Sequence, residues 1–173
     1  KGQLEWSSGA VDVDKKKKLN IRKVEKKMAQ MADDKIINTP VHLSICKEEI
    51  AVAFAKNVKK KDKVFGNHRS HSHIISLGTS LKKLFSECLG KEDGLARGFG
   101  GSMHLIDKSV GFEGSVPIVG STIPIACGYS LANKLPKYHN ILFNFFGDCD
   151  WAQGVVTDTI HFAFWPHAPL IFL

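Results

Sequence analysis

The chain has 173 residues and a formal net charge of +7, with 43% hydrophobic and 24% charged residues. These proportions are ordinary for a globular protein of a length that can bury a sizeable core, which argues against a disordered chain. No apolar run reaches the roughly 20 residues of a membrane-spanning helix, and the polar first segment predicts no signal peptide. Because the first residue is Lys rather than Met, we expect the natural start to lie upstream.

The excess of positive charge is confined to the first third of the chain. Residues 1–63 contain 16 Lys/Arg and 9 Asp/Glu, whereas residues 64–173 contain 8 of each. A nucleic-acid surface would need aromatic residues among these charges, and only Trp6 and Phe54 are present, so we expect a solvated helix face and a basic tail. The cysteines form no C-x-x-C pair, which favours reduced thiols in a cytoplasm-like compartment.

The first half of the chain is predicted to be largely helical. Residues 1–18 lack periodicity and are expected to form a flexible basic lead-in, so the predicted folded domain covers residues 19–173. Apolar residues recur at helical spacing from Leu19 to about Asp34 and from Glu48 to about Lys60, which predicts two amphipathic helices. A third helix is predicted from Ser80 to Leu89.

Between Gly90 and Gly120 glycine is frequent and no helix or strand pattern is clear. A segment of this length without clear elements is usually functional or disordered. Interspersed apolar residues such as Phe99, Phe112 and Ile118 argue against disorder, since disordered segments contain few of them. We therefore expect a packed loop that handles a ligand.

The last third of the chain alternates helix and strand. Ser121 or Thr122 is placed to cap a helix that continues to about Leu135. The following order predicts a right-handed βαβ unit with parallel strands, and therefore an α/β fold. Because the chain stops within an apolar strand, we expect it to be a fragment. The predicted elements of this unit are a buried strand at Asn140–Phe146, a helix from about Ala152 to Phe164 and a second strand at Ala168–Leu173.

A Gly-Asp turn, Gly147-Asp148, follows the first of these strands and precedes a helix. Ligands of open parallel sheets bind beyond the carboxyl ends of the strands, and a helix N-terminus suits a phosphate group. An Asp at that position can ligate Mg²⁺ together with phosphate oxygens. Such turns are also common without a ligand, so the motif alone leaves both interpretations open.

Three closely spaced histidines, His68, His71 and His73, could hold a metal ion. A surface loop with incidental histidines is the simpler interpretation. Arg69 and His104, taken singly, are an ordinary surface arginine and a structural histidine. Only a joint pattern raises these residues above such interpretations.

Five short segments carry that joint pattern. They are Thr39–Ile45 (TPVHLSI), His68–His71 (HRSH), Gly98–Leu105 (GFGGSMHL), Gly114–Gly120 (GSVPIVG) and Phe146–Asp148 (FGD). In this order and spacing, the chain from about Leu19 resembles the alpha subunit of the thiamine-diphosphate-dependent dehydrogenases of pyruvate, branched-chain 2-oxo acids and acetoin. The resemblance implies a thiamine-diphosphate-binding fold, a parallel sheet flanked by helices, here incomplete at the C-terminus.

The resemblance also implies roles for individual residues. Asp148 matches the Asp that ligates Mg²⁺, and Arg69 matches an Arg that contacts the diphosphate. His68 stands beside the cofactor in the place of an aromatic residue, and residues 118–120 match the segment that supports the bent cofactor. The candidate site residues are His42 and His71 as catalytic groups, His68, Arg69, Ile118, Val119, Gly120, Asp148 and Cys149 for the cofactor, and Asp148 for the metal.

The function implied by the resemblance is the oxidative decarboxylation of a 2-oxo acid such as pyruvate, with thiamine diphosphate and Mg²⁺. The acyl group would pass to a lipoyl-bearing acyltransferase. A beta subunit would complete a heterotetramer and supply the Glu that activates the cofactor, so no general base is assigned here. The implied location is the cytoplasm, or the mitochondrial matrix in a eukaryote. The alternatives are an acetoin-cleaving alpha subunit, a transketolase-like enzyme, and a truncated or degenerate paralogue that serves as an assembly scaffold.

The chain departs from the family at several positions. Cys149 and Cys46 replace glycines, and a side chain at a backbone position with positive φ costs about 1–2 kcal/mol. Asp150 and Trp151 replace small residues, and Asp150 is expected to add a negative charge near the diphosphate. By the resemblance, the Asn that closes the family's metal motif and a later His-bearing loop are expected beyond Leu173.

Overall fold

The computed structural model describes residues 8–135 and 140–173, which form a parallel sheet with helices on both faces. The α/β class predicted from the sequence is therefore confirmed. No helix in these ranges is long and apolar enough to cross a membrane. The strands in these ranges are β1 (Lys63–Asn67), β2 (Phe112–Val116), β3 (Leu142–Asn144) and β4 (Leu170–Phe172). The helices are α1 (Ser8–Asp33), α2 (Glu48–Asn57), α3 (His71–Leu77), α4 (Leu81–Cys88), α5 (Thr122–Lys134), α6 (Asp148–Trp151) and α7 (Gly154–Phe164).

The four strands lie in the order β2-β1-β3-β4, and every neighbouring pair is parallel. The pairing of β3 with β4 confirms the βαβ unit predicted for the last third of the chain. The chain passes from β1 to β2 on one side and then returns to the other side of β1 to form β3. This reversal makes a topological switch point between β1 and β3, where open α/β sheets bind their ligands.

Helices cover both faces of the sheet, as a parallel sheet requires. On one face Val64 and Phe143 join the main core, which includes Met28 of α1 and residues of α2, α3 and α4. On the other face Phe65 and Leu142 pack against α5. The strand residues therefore alternate between two apolar layers, and polar groups gather at the strand ends.

Helix α1 begins at Ser8, well before the start predicted at Leu19. The lead-in predicted for residues 1–18 is thus helical from Ser8 onward, and residues 1–7 lie outside the described residues. Lysine is a good helix former, and the core face of α1 anchors the helix further along. Lys18 pairs with Glu49 of α2 at 3.3 Å, which ties the lysine-rich part of α1 to its neighbour.

Several elements differ from the sequence prediction. Strand β1, strand β2 and helix α3 have no counterpart in it, and β2 lies inside the segment predicted as a loop. The helix predicted from about Ala152 to Phe164 is confirmed as α7, and the short helix α6 before it was not predicted; Gln153 is extended (φ −85°, ψ 131°) between the two. Strands β3 and β4 are each 3 residues long, shorter than predicted.

The glycine-rich segment folds around one buried carboxylate, that of Glu87 in α4. The Glu87 side chain is fully buried and accepts hydrogen bonds of 2.6 to 3.1 Å from four backbone N–H groups. The glycines allow the backbone to come this close: Gly98 has φ +80°, and a Cβ there would lie 2.4 Å from the carbonyl carbon of Gly90. The packed loop expected here is therefore held from inside, although Phe99 is 89% exposed. The donors are Ala96, Gly98, Gly100 and Gly101.

We predict that Glu87→Ala lowers the free energy of unfolding by about 3–5 kcal/mol, because it leaves buried N–H groups without an acceptor. Urea denaturation followed by circular dichroism measures the change. Glu92→Ala is the matched control in the same segment, because Glu92 is exposed and its pair with Arg97 at 3.3 Å is worth less than about 1 kcal/mol. Equal losses in the two variants would contradict the role assigned to Glu87.

Candidate functional site

Three neighbouring strands end at the same edge of the sheet, and each is followed by a segment that contains predicted site residues. His68 and Arg69 follow β1, residues 117–120 follow β2, and Asp148 comes shortly after β3. Because β2, β1 and β3 are adjacent and parallel, these segments converge at the switch point. The fold therefore brings together residues that are up to about 80 positions apart in the chain.

The segment after β1 contacts the loop that carries His42. The rings of His42 and His68 meet edge to face with centroids 4.9 Å apart. Arg69 is exposed, and its Nη1 donates to the carbonyl oxygen of Leu43 at 2.7 Å. Burial lowers the pKa of His68, the neighbouring His42 and Arg69 lower it further, and Asp150 opposes them. A neutral imidazole and a fixed guanidinium thus lie side by side at this edge.

The segment after β2 presents an apolar surface beside these groups. Ile118 is 68% exposed and Val119 is 39% exposed. The hydroxyl of Ser121 donates to the carbonyl oxygen of Ile118 at 2.8 Å and closes a turn. Gly120 has φ +80°, and a Cβ there would lie 3.2 Å from the Gln153 side chain. Glycine is therefore required where this segment approaches the α6–α7 break.

The segment after β3 exposes Asp148 and Cys149 in the first turn of α6. Cys149 is helical and has no positive φ, so the backbone strain considered for this position does not arise. Cys46, the other cysteine in place of a glycine, does have a positive φ of 69°. All four cysteines of the chain are free thiols. No group of three or more His, Cys, Asp or Glu side chains within the described ranges could hold a metal ion.

Asp150 does not face the open edge, where the sequence analysis expected its negative charge. Its carboxylate, 6% exposed, turns into the protein instead of toward the open edge. It accepts a hydrogen bond from the backbone N–H of Gly147 at 2.5 Å and a second from that of Gly120. The charge expected to face a bound phosphate is therefore already matched by protein donors. An acid in the first turn of a helix is a capping signal, but nothing in the sequence indicates the bond to Gly120.

The histidines at 71 and 73 are buried in α3, so the surface loop expected for them is wrong. His71 is fully buried, and its Nε2 lies 2.8 Å from the hydroxyl of Ser102. Its Nδ1 lies 3.4 Å from the carboxylate of Glu25. His73 stacks on Phe145 with ring centroids 3.8 Å apart, and its Nδ1 has no hydrogen-bond partner. The three histidines therefore do not form a metal cluster.

The Ser102–His71–Glu25 arrangement has the order of groups found in serine hydrolases. The three side chains are each at most 1% exposed, so a substrate carbonyl cannot reach the Ser102 hydroxyl. Ser44 donates to the Glu25 carboxylate at 2.5 Å, which extends the network to the loop that carries His42. The catalytic role of His71 stays a prediction, and its buried position favours a role in holding this loop.

The chain is similar in sequence to proteins of one known family. The profile of a family described as "Dehydrogenase E1 component" matches residues 15–173. A pyruvate dehydrogenase E1 component subunit alpha of Rickettsia prowazekii is 36% identical over 155 residues, which are 90% of this chain and 48% of the relative. The alpha subunit of acetoin:2,6-dichlorophenolindophenol oxidoreductase from Bacillus subtilis is 33% identical over 157 residues, 91% of this chain and 47% of the relative.

A plant relative extends the comparison. The mitochondrial pyruvate dehydrogenase E1 component subunit alpha-1 of Arabidopsis thaliana is 32% identical over 141 residues, 82% of this chain and 36% of the relative. The chain spans about half the length of the bacterial relatives it matches.

The buried His73 makes the pH dependence of folding testable. Burial lowers the pKa of His73 to about 3, from 6.5 in an unfolded chain. Below pH 6.5 His73 therefore binds a proton in the unfolded chain but not in the folded chain, so the free energy of unfolding decreases as the pH falls toward 3. From pH 7.5 to pH 5 this group alone should lower the free energy of unfolding by about 2 kcal/mol.

His73→Phe keeps the stacking on Phe145 and should remove this part of the acid sensitivity. Urea unfolding at the two pH values measures it, with His161→Gln as the control because His161 is exposed on α7. An unchanged pH dependence in His73→Phe would contradict the assignment.

Proposed function

The chain belongs to the dehydrogenase E1 component family, and from this we propose that its protein is the alpha subunit of a thiamine-diphosphate-dependent dehydrogenase of 2-oxo acids. The observation that carries the proposal is the arrangement of Arg69 and Asp148. Both side chains are exposed, and they follow the neighbouring strands β1 and β3 at the switch point. At this edge, a guanidinium suits the oxygens of a diphosphate and a carboxylate suits its metal ion.

The residues present fit such a cofactor. We propose that the Arg69 guanidinium binds diphosphate oxygens and that Asp148 ligates Mg²⁺, which needs few protein ligands when phosphate oxygens and water complete its shell. Cys149 would contribute its backbone N–H in the first turn of α6. The Asp150 charge does not oppose binding directly, because backbone N–H groups already engage its carboxylate.

The apolar side of the site would support the organic part of the cofactor. Ile118 and Val119 expose apolar surface beside Gly120, and a ring system packs well on such a surface. His42 and His68 would line the approach to it. Because the pKa of His68 is lowered, its imidazole is neutral near pH 7 and can accept or donate a hydrogen bond without carrying charge. When bound, thiamine diphosphate supplies the electron sink for decarboxylation.

The buried network gives His71 a positioning role in this proposal. His71 connects Glu25 with Ser102, and Ser44 joins the same carboxylate from the loop that holds His42. This network would keep His42 against His68 without touching the substrate. The neighbouring Arg69 is held by the same loop through the carbonyl oxygen of Leu43.

The complete activity would depend on partners. We propose a beta subunit that completes the active site in a heterotetramer, and a lipoyl-bearing acyltransferase that accepts the acyl group. Free thiols suit a reducing compartment such as the bacterial cytoplasm or the mitochondrial matrix. Pyruvate is the first substrate to test and acetoin the second, because relatives named for both are at least 33% identical. A non-catalytic scaffold finds no support in these relatives.

We predict that the full chain, assembled with its beta subunit, binds thiamine diphosphate only when Mg²⁺ is present. In Asp148→Asn, Mg²⁺ should no longer raise the affinity for thiamine diphosphate, because the substitution removes the charged metal ligand. Arg69→Lys should weaken binding about tenfold, because a lysine cannot form the two parallel hydrogen bonds of a guanidinium.

Isothermal titration calorimetry measures both affinities. Asp158→Asn, which removes an exposed carboxylate from α7, is the matched control and should bind as the wild type does. A wild-type assembly that binds no thiamine diphosphate would overturn the proposed function.

A further inference from the structure

Asp150 connects two segments of the candidate site that are far apart in the chain. One carboxylate oxygen accepts from the backbone N–H of Gly147, which begins the turn before Asp148. The other accepts from the backbone N–H of Gly120, a residue 30 positions away that follows Ile118 and Val119. The side chain is 6% exposed, so both bonds are shielded from water.

Helix capping explains only half of this arrangement. An acid at the third position of a helix commonly reaches back to the N–H of the residue before the helix, as Asp150 does to Gly147. The bond to Gly120 contributes nothing to α6, since Gly120 precedes α5 and follows β2. Gly120 also approaches the Gln153 side chain closely, since a Cβ built there would lie 3.2 Å from it. The bond to Asp150 and this close approach both relate Gly120 to the α6–α7 region.

We propose that Asp150 is a positioning residue that sets the apolar half of the cofactor site, Ile118 to Gly120, at a fixed distance from Asp148. This inference rests on the proposed function, in which these two segments hold the ring system and the metal-bound diphosphate. A cofactor that spans both halves binds more tightly when the two halves are already held in place, because less conformational freedom is lost on binding. Small residues at this position could not form such a connection.

The opposite effect, repulsion of the diphosphate by the Asp150 carboxylate, predicts different behaviour. A buried carboxylate that accepts two N–H bonds has its charge largely matched by the donors. A positioning residue therefore matters for a ligand that spans both halves, and little for one that occupies only the diphosphate half. A repelling residue would matter for both ligands in the same direction. Magnesium pyrophosphate and thiamine diphosphate with magnesium separate these two effects.

The test uses the full chain assembled with its beta subunit, as wild type, D150A, D150N and the control D158N. Without cofactor, hydrogen exchange of the Gly120 and Gly147 amides should accelerate at least about tenfold in D150A, because each loses a charge-assisted bond. Amides in the core around Ile74 should keep their wild-type rates. D150N retains one carbonyl acceptor and the shape of the side chain, so acceleration at one of the two glycines is expected.

Calorimetry then compares the two ligands. In D150A the affinity for thiamine diphosphate should decrease about tenfold while the affinity for magnesium pyrophosphate stays within about twofold of the wild type. D150N should lie between D150A and the wild type, and it provides the answer if D150A does not fold. D158N should match the wild type throughout.

Three results would overturn the inference: unchanged exchange at both glycines, tighter binding of both ligands in D150A, or equal weakening of both. The second would mean that Asp150 repels the diphosphate, and the third that it holds only the Asp148 turn. Failure of the proposed function is distinguishable, because the wild type would then bind no thiamine diphosphate while accelerated exchange still reported the connection between the segments.

Discussion

A buried carboxylate must be matched by hydrogen-bond donors, and the site depends on how this chain meets that requirement. Glu87 binds four backbone N–H groups and shapes the glycine-rich segment around itself. The same segment places the Ser102 hydroxyl next to the imidazole of His71. His71 contacts the carboxylate of Glu25, which also accepts a hydrogen bond from Ser44. Two buried acids thereby join α1, α3, α4 and two loops that have no regular structure of their own.

Asp150 uses the same physical device at the edge of the sheet. Its carboxylate connects the segment after β2 with the turn after β3, where backbone alone would leave the two apart. In each case a short loop rich in glycine supplies N–H groups that no helix or strand uses. Side-chain carboxylates thus accept the N–H groups of these loops, as backbone carbonyl groups do inside the sheet.

The site itself follows from the strand order. The strand order reverses after β2, which makes a switch point at the carboxyl ends of β1 and β3, and Arg69 and Asp148 follow these two strands. Exposed Ile118 and Val119 provide the apolar surface next to them. The cysteine that replaces glycine at 149 is accommodated because its backbone is helical, whereas Cys46 carries its side chain at a positive φ.

Much of the molecule could be predicted from the sequence. Hydrophobic periodicity indicated the core of α1, and helices α2, α4 and α5 lie close to their predicted ranges. Strands β1 and β2 could not be found this way, because Lys-Val-Phe-Gly-Asn and Phe-Glu-Gly-Ser-Val contain few β-forming residues and become strands through pairing with each other. Helix α3 could not be predicted either, because its polar His-Ser-His start shows no apolar periodicity and is buried only by contacts with distant segments.

The family and the α/β class can be read from the linear sequence, because motif order and spacing are properties of the chain, and the same motifs make Arg69 and Asp148 site candidates. The direction in which each charged side chain points depends on the folded structure. Asp148 and Asp150 are two residues apart, and the turn of α6 sends their side chains about 200° apart around the helix axis. The Asp148 side chain is exposed, whereas the Asp150 carboxylate accepts from the N–H of Gly120, a donor that no local pattern could place there.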